Sequence, residues 1–92
     1  MRRLVGQVTY EEKEEIKNLH ERRNGLNELA RIITANNNDL YEKVLRDLSE
    51  TVTKFQNWWD RMSVKYQWEG SNDGHWEINF ETGEIYLVTE II

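Results

Sequence analysis

Apolar positions change period along the chain, and each change marks an element. Residues 3–8 are short and apolar enough for a strand, Arg3 to Val8. Thr9 then reads as a helix N-cap, with Glu12 three residues on to complete a capping box. Glu11, Glu12, Glu14 and Glu15 crowd the first turns, where the helix dipole favours negative charge. Ile16, Leu19, Leu26, Leu29, Ala30, Ile32 and Ile33 follow at helical spacings and predict helix over 10–35. Inside that stretch Asn24-Gly25-Leu26 reads two ways. Gly after Asn, then an apolar residue, resembles a Schellman-type end. The apolar stripe nevertheless resumes in register, and a mid-helix Gly costs only ~1 kcal/mol relative to Ala. The segment is therefore one helix or a kinked helix pair.

Asn36-Asn37-Asn38 reads as a loop, because Asn tolerates the left-handed region and bonds its own backbone. Asp39 with Glu42 is a second candidate capping box, opening a helix over 39–66. Tyr41, Leu45, Leu48, Val52, Phe55, Trp59, Met62 and Tyr66 alternate at four and three residues, a heptad seam with every position apolar. From Leu40 to Tyr66 such a helix is roughly 40 Å long at 1.5 Å per residue. After a Gly-Ser-Asn-Asp-Gly loop the period drops to two. Trp76, Ile78 and Phe80 alternate with Glu77, Asn79 and Glu81; Thr82-Gly83 turns the chain; Ile85 and Leu87 alternate with Glu84, Tyr86 and Val88. The pattern predicts a β-hairpin over 75–89 with a left-handed Gly in its turn. The expected fold is α+β: two long antiparallel helices with a C-terminal β-hairpin, which residues 3–8 are placed to join. The face carrying Trp76, Ile78, Phe80, Ile85 and Leu87 would pack on the helices.

Composition narrows what such a domain does. Ninety-two residues make one domain, and four Trp, four Tyr and two Phe argue against disorder despite 32% charged residues. The chain has no Cys, which excludes a disulfide scaffold, a thiolate nucleophile and Cys-ligated metal. No apolar run approaches the ~18 residues of a membrane span. The stretch Leu4-Val5-Gly6-Gln7 after Met1-Arg2-Arg3 is too short for a signal peptide, so a cytoplasmic location is expected. The net charge of −5 is unevenly placed: residues 67–92 hold Glu69, Asp73, Glu77, Glu81, Glu84 and Glu90 with no Lys or Arg. That end repels phosphates, which argues against nucleic-acid binding. It is either a solvated face or a docking surface for a basic partner.

The chemistry is that of binding more than catalysis. His20 and His75 have no neighbouring His or Cys to share a metal, the glycines form no phosphate loop, and no Ser sits in a nucleophile elbow. No cofactor and no enzyme activity are expected. Candidate partner-binding residues are Glu77, Glu81, Glu84 and Tyr86 on the hairpin, with Trp58 and Trp68. Trp58 steps with Val44 and Thr51 at intervals of seven, beside the seam; it is either core beneath the hairpin or an exposed anchor of the kind common at interfaces. The same alternatives hold for Trp68. Strands of five residues reach roughly 17 Å, less than half the second helix. Either the first helix covers the remainder or a second copy does, so a homodimer is one expectation.

Leu40-Tyr41-Glu42-Lys43-Val44, Phe55-Gln56-Asn57-Trp58-Trp59-Asp60-Arg61-Met62, Lys65-Tyr66-Gln67-Trp68 and the run from His75 to Leu87 together resemble a small bacterial family, the CXXX repeat peptide modification system proteins. The opening Val5 to Leu29, with Glu21-Arg22-Arg23-Asn24-Gly25-Leu26 at its centre, is similar too. The resemblance implies a non-catalytic accessory protein in the maturation of a ribosomally made Cys-repeat peptide. Its partner would be the precursor peptide or the radical S-adenosylmethionine maturase. Leader-binding modules of other such systems take the leader as an added β-strand. Here the hairpin follows the helices, so that mode does not carry over directly. The alternative is an acidic structural or regulatory dimer, an antitoxin-like or phage-type inhibitor occupying a basic site.

Overall fold

A computed structural model describes residues 1–33 and 38–89 of the chain. It has a strand β1 (Arg2–Gln7), helices α1 (Tyr10–Ile32) and α2 (Asn38–Tyr66), and strands β2 (Gly74–Ile78) and β3 (Glu84–Thr89). The fold is α+β, as the periodicities predict. β3 is the centre of a three-stranded sheet, with β1 and β2 antiparallel on either side.

Local chemistry starts and stops these elements as expected in most places. The Thr9 hydroxyl accepts from the Glu12 N–H at 3.2 Å, and Glu12 Oε1 accepts from the Thr9 N–H at 2.9 Å, closing the capping box. α1 runs through Gly25 as one continuous helical span; nothing lies within 4 Å of a Cβ built there, so the Gly meets no packing need. α2 begins at Asn38, which puts Asp39 inside the first turn instead of at the cap position. Residues 34–37 and 90–92, including Asn36, Asn37 and Glu90, lie outside the described residues. In the hairpin the Asn79 side chain accepts from the N–H groups of Glu81 and Thr82, and Gly83 takes φ +77°, a value that L side chains rarely adopt. Phe80 belongs to this turn and stacks on His20 at 4.6 Å between ring centroids.

The core lies where the sheet meets both helices. Val8, Ile16, Trp58, Met62, Trp68 and Ile85 are buried together, with Val5, Phe55, Trp59, Tyr66, Trp76, Ile78 and Phe80 packed around them. Trp58 is 0% exposed, and its Nε1 donates to the Glu12 carbonyl at 3.0 Å. One side chain thus fills the core and ties α2 to the first turn of α1. Around the same turn Glu12 accepts from Lys65 Nζ at 2.5 Å and from the Tyr66 hydroxyl. Burial pushes the Glu12 pKa up, but hydrogen bonds from Lys65, Tyr66 and Thr9 outweigh it and hold the carboxyl at about 2.

The heptad seam is corrected by the packing. The buried line on α2 is Val44, Thr51, Trp58 and Met62. Tyr41, Leu45 and Val52 of the expected seam are 39%, 42% and 45% exposed. At the sheet end Phe55, Trp59, Met62 and Tyr66 of the seam do pack into or against the core, whereas along the arm α1 meets α2 on the neighbouring line through Val44 and Thr51. The polar member of the buried line is satisfied: Thr51 Oγ1 donates to the Asp47 carbonyl at 2.8 Å and accepts from Arg22 Nε at 3.3 Å. The sheet covers only the Trp58 end of the hairpin. The opposite end projects as a two-helix arm, and the molecule is elongated, 47 × 35 × 22 Å.

Candidate functional site

The two outer strands of the sheet differ in how their free edges are protected. β1 is interrupted by a bulge between Leu4 and Gly6. Arg3 pairs with Glu69, and Arg2 lies 4.0 Å over the Tyr86 ring. Bulges and charged side chains are the usual means of blunting an edge. β2 carries no bulge, Pro, Lys or Arg, and its one carboxylate, Glu77, stands on the outer face opposite Tyr86. The Asn79 N–H donates to the Glu84 carbonyl at 2.9 Å. Antiparallel alternation then makes Glu77/Tyr86 and His75/Val88 the hydrogen-bonded pairs and turns the backbone groups of Trp76 and Ile78 toward the free edge.

Beside that edge an open groove of about 450 Å³ separates β2 and its preceding loop from the last turns of α2. Phe55, Gln56, Trp59, Asp60 and Ser63 form the α2 wall, at helical spacings of three and four; Ser71, Gly74, His75 and Trp76 form the other. The indoles are held in place by each other. Trp68 makes edge-to-face contacts with Trp59 at 6.1 Å and Trp76 at 5.6 Å, and Trp76 Nε1 donates to the Glu69 carbonyl at 2.9 Å. Gly6 permits this arrangement: a Cβ there would stand 2.5 Å from Trp68 Nε1. The groove lining includes Asp60, whose Oδ1 accepts from Gln56 Nε2 at 3.1 Å, and no Lys or Arg. Ser63 Oγ donates to the Asp60 carbonyl, and His75 pairs with Glu77 at 3.2 Å, so hydroxyl and imidazole are engaged elsewhere and not with each other.

The residues singled out in the sequence fall into three places. Trp58 and Trp68 are core side chains, 0% and 8% exposed, which removes them as surface anchors. Glu77, Glu84 and Tyr86 share the sheet face turned away from the helices, Glu77 directly opposite Tyr86 in the register. Glu81 sits exposed in the hairpin turn, where Lys13 Nζ donates to its carbonyl at 3.3 Å. The acids after residue 66 are less isolated than their sequence neighbourhood suggests, since β1 brings Arg3 to Glu69. The outer face is also less acidic than the hairpin alone implied, because β1 adds Arg2 to it. The sequence carries no sign of the α2 wall of the groove: Phe55 and Trp59 belong to the apolar seam, and Asp60 stands out only once β2 lies opposite.

Among the described residues no helix is long and apolar enough to cross a membrane, and no three His, Asp or Glu side chains gather as metal ligands would. Compared with protein-family models, curated proteins and solved structures, the chain matches none.

Proposed function

We propose that the chain is a non-catalytic accessory protein that binds an extended basic peptide by strand addition to β2. The carrying observation is the unblunted β2 edge opening onto the Phe55–Trp59–Trp76 groove. Backbone pairing at Trp76 and Ile78 supplies affinity, and alternate side chains of the peptide enter the groove. Charge selects the peptide: Asp60 in the groove and Glu77 on the strand favour Lys or Arg, and no Lys or Arg of the lining opposes one. A cationic stem against indole faces gains further from the ring quadrupole. Read with the resemblance to the CXXX repeat peptide modification system proteins, the peptide is the precursor of a Cys-repeat product, or a basic segment of its maturase.

Amide-resolved NMR titration with a Lys-rich precursor-leader peptide tests this. Shifts concentrated at Trp76, Ile78 and the α2 wall are expected, with affinity falling about tenfold or more in Asp60→Lys. Shifts confined to the outer sheet face around Glu77, Glu84 and Tyr86, or none at all, overturn the reading.

A further inference from the structure

The two-helix arm carries apolar surface that the groove does not use. Tyr41, Leu45 and Val52 follow one another at heptad spacing on α2, with Leu48 between them half-buried. An exposed apolar stripe of this regularity is a packing surface without its neighbour. The dimensions point the same way. A compact 92-residue chain has a radius of gyration of about 12 Å. This one has 16.0 Å. The excess is the arm, which extends beyond the sheet as two helices with nothing stacked on them among the described residues.

We infer that a second copy of this chain covers the stripe, arm against arm, in an isologous helical bundle. Charge identifies the occupant. On the arm, α1 from Arg22 to its end carries three Arg against Glu28, net +2. α2 from its start to Thr53 carries Lys43 and Arg46 against Asp39, Glu42, Asp47 and Glu50, net −2. The arm is therefore neutral and of mixed sign in a molecule of net charge −5. In a symmetric antiparallel bundle α1 of one copy, net +2, lies against α2 of the other, net −2, around the apolar stripe, a match that a uniformly acidic or basic partner lacks. An antiparallel arrangement also sends the two acidic sheet ends to opposite extremes, away from each other. The stripe lies outside the groove, so this dimer stands or falls independently of peptide binding.

Sedimentation of the full chain from 10 to 500 µM, in 0.1 and 0.5 M salt, provides the test. The expected result is a rise from 11.1 kDa toward twice that mass, undiminished at high salt because the contact is apolar. Leu45→Glu/Val52→Glu should stay monomeric throughout. If that variant loses helical circular dichroism, the milder Leu45→Gln/Val52→Gln replaces it, with self-association weakened at least tenfold. A wild-type monomer at 500 µM, a dimer dispersed by salt, or equal dimerisation of a folded stripe variant overturns the proposal.

Discussion

The two ends of the helical hairpin are built from the same helices and differ in almost everything else. At the sheet end Ile16, Trp58 and Met62 are sealed beneath Val8 and Ile85, and Glu12 gathers Lys65, Tyr66 and the α1 cap around one carboxylate. At the arm end Leu29 and Ile32 of α1 and Tyr41, Leu45 and Val52 of α2 remain open to solvent. Burial needs a third layer: two helices in contact hide only the line between them, and a sheet or further helices must cover the rest. The chain supplies that layer for about half of its hairpin. The covered half holds the groove; the bare half leaves an apolar stripe exposed.

The largest expected effect tests the covered end. Trp58→Ala should cost about 3–5 kcal/mol in chemical denaturation, since it opens a cavity and leaves the Glu12 carbonyl without its indole donor. A small domain has about 5–15 kcal/mol in total, so the variant would be near its unfolding threshold. Gly6→Ala should follow, at roughly 2–3 kcal/mol, because the new methyl collides with an indole that Trp59 and Trp76 hold in place. Near-native stability there would mean that Trp68 is free to move and that the groove wall is soft.

Acid should weaken the covered end selectively. With Glu12 at about 2 in the folded chain against an ordinary 4.5, its carboxylate stabilises fully above pH 4.5, and that contribution drains away as pH falls toward 2. Stability measured from pH 6 to 2 should drop by on the order of 1–2 kcal/mol more in wild type than in Glu12→Gln. Parallel curves would show that Lys65 and Tyr66 do not hold the ionised form. Gly25→Ala, in the open middle of α1, should instead stabilise by about 0.5–1 kcal/mol and raise the melting temperature. The smallest effect belongs to the bare arm. Leu45→Ala, measured in dilute protein where chains are separate, should change stability by less than about 0.5 kcal/mol. A loss comparable with that of Trp58→Ala would mean that the two ends are not different after all.

The seam shows how far reading of the chain reaches. Its eight apolar positions do lie along one helix, α2, with the ends expected to within a residue. Which of the two neighbouring stripes faces α1 was not legible, because Val44 and Trp58 are apolar as well, and the single Thr51 between them looks like surface until Arg22 reaches it. The glutamates of the hairpin were legible as an acidic run. That Arg3 pairs with Glu69 and Arg2 covers the Tyr86 ring was not, both arginines being more than sixty residues distant in sequence. The groove was least legible, since its walls come from α2 and β2 and neither wall is a site alone.

Local rules were enough to determine the capping box at Thr9, the span of α2, the left-handed Gly83 of the hairpin turn and the alternation that points Trp76, Ile78, Ile85 and Leu87 to the helices. Each depends on residues a few positions apart, where helix and strand geometry leave few choices. Only the tertiary structure decided that β1 adds to β3, that one edge is blunted and the other open, and that the sheet stops short of the arm. Those are relations between surfaces far apart along the chain. Their energy comes from area buried across elements, and periodicity within one element says which face is apolar without saying what will cover it.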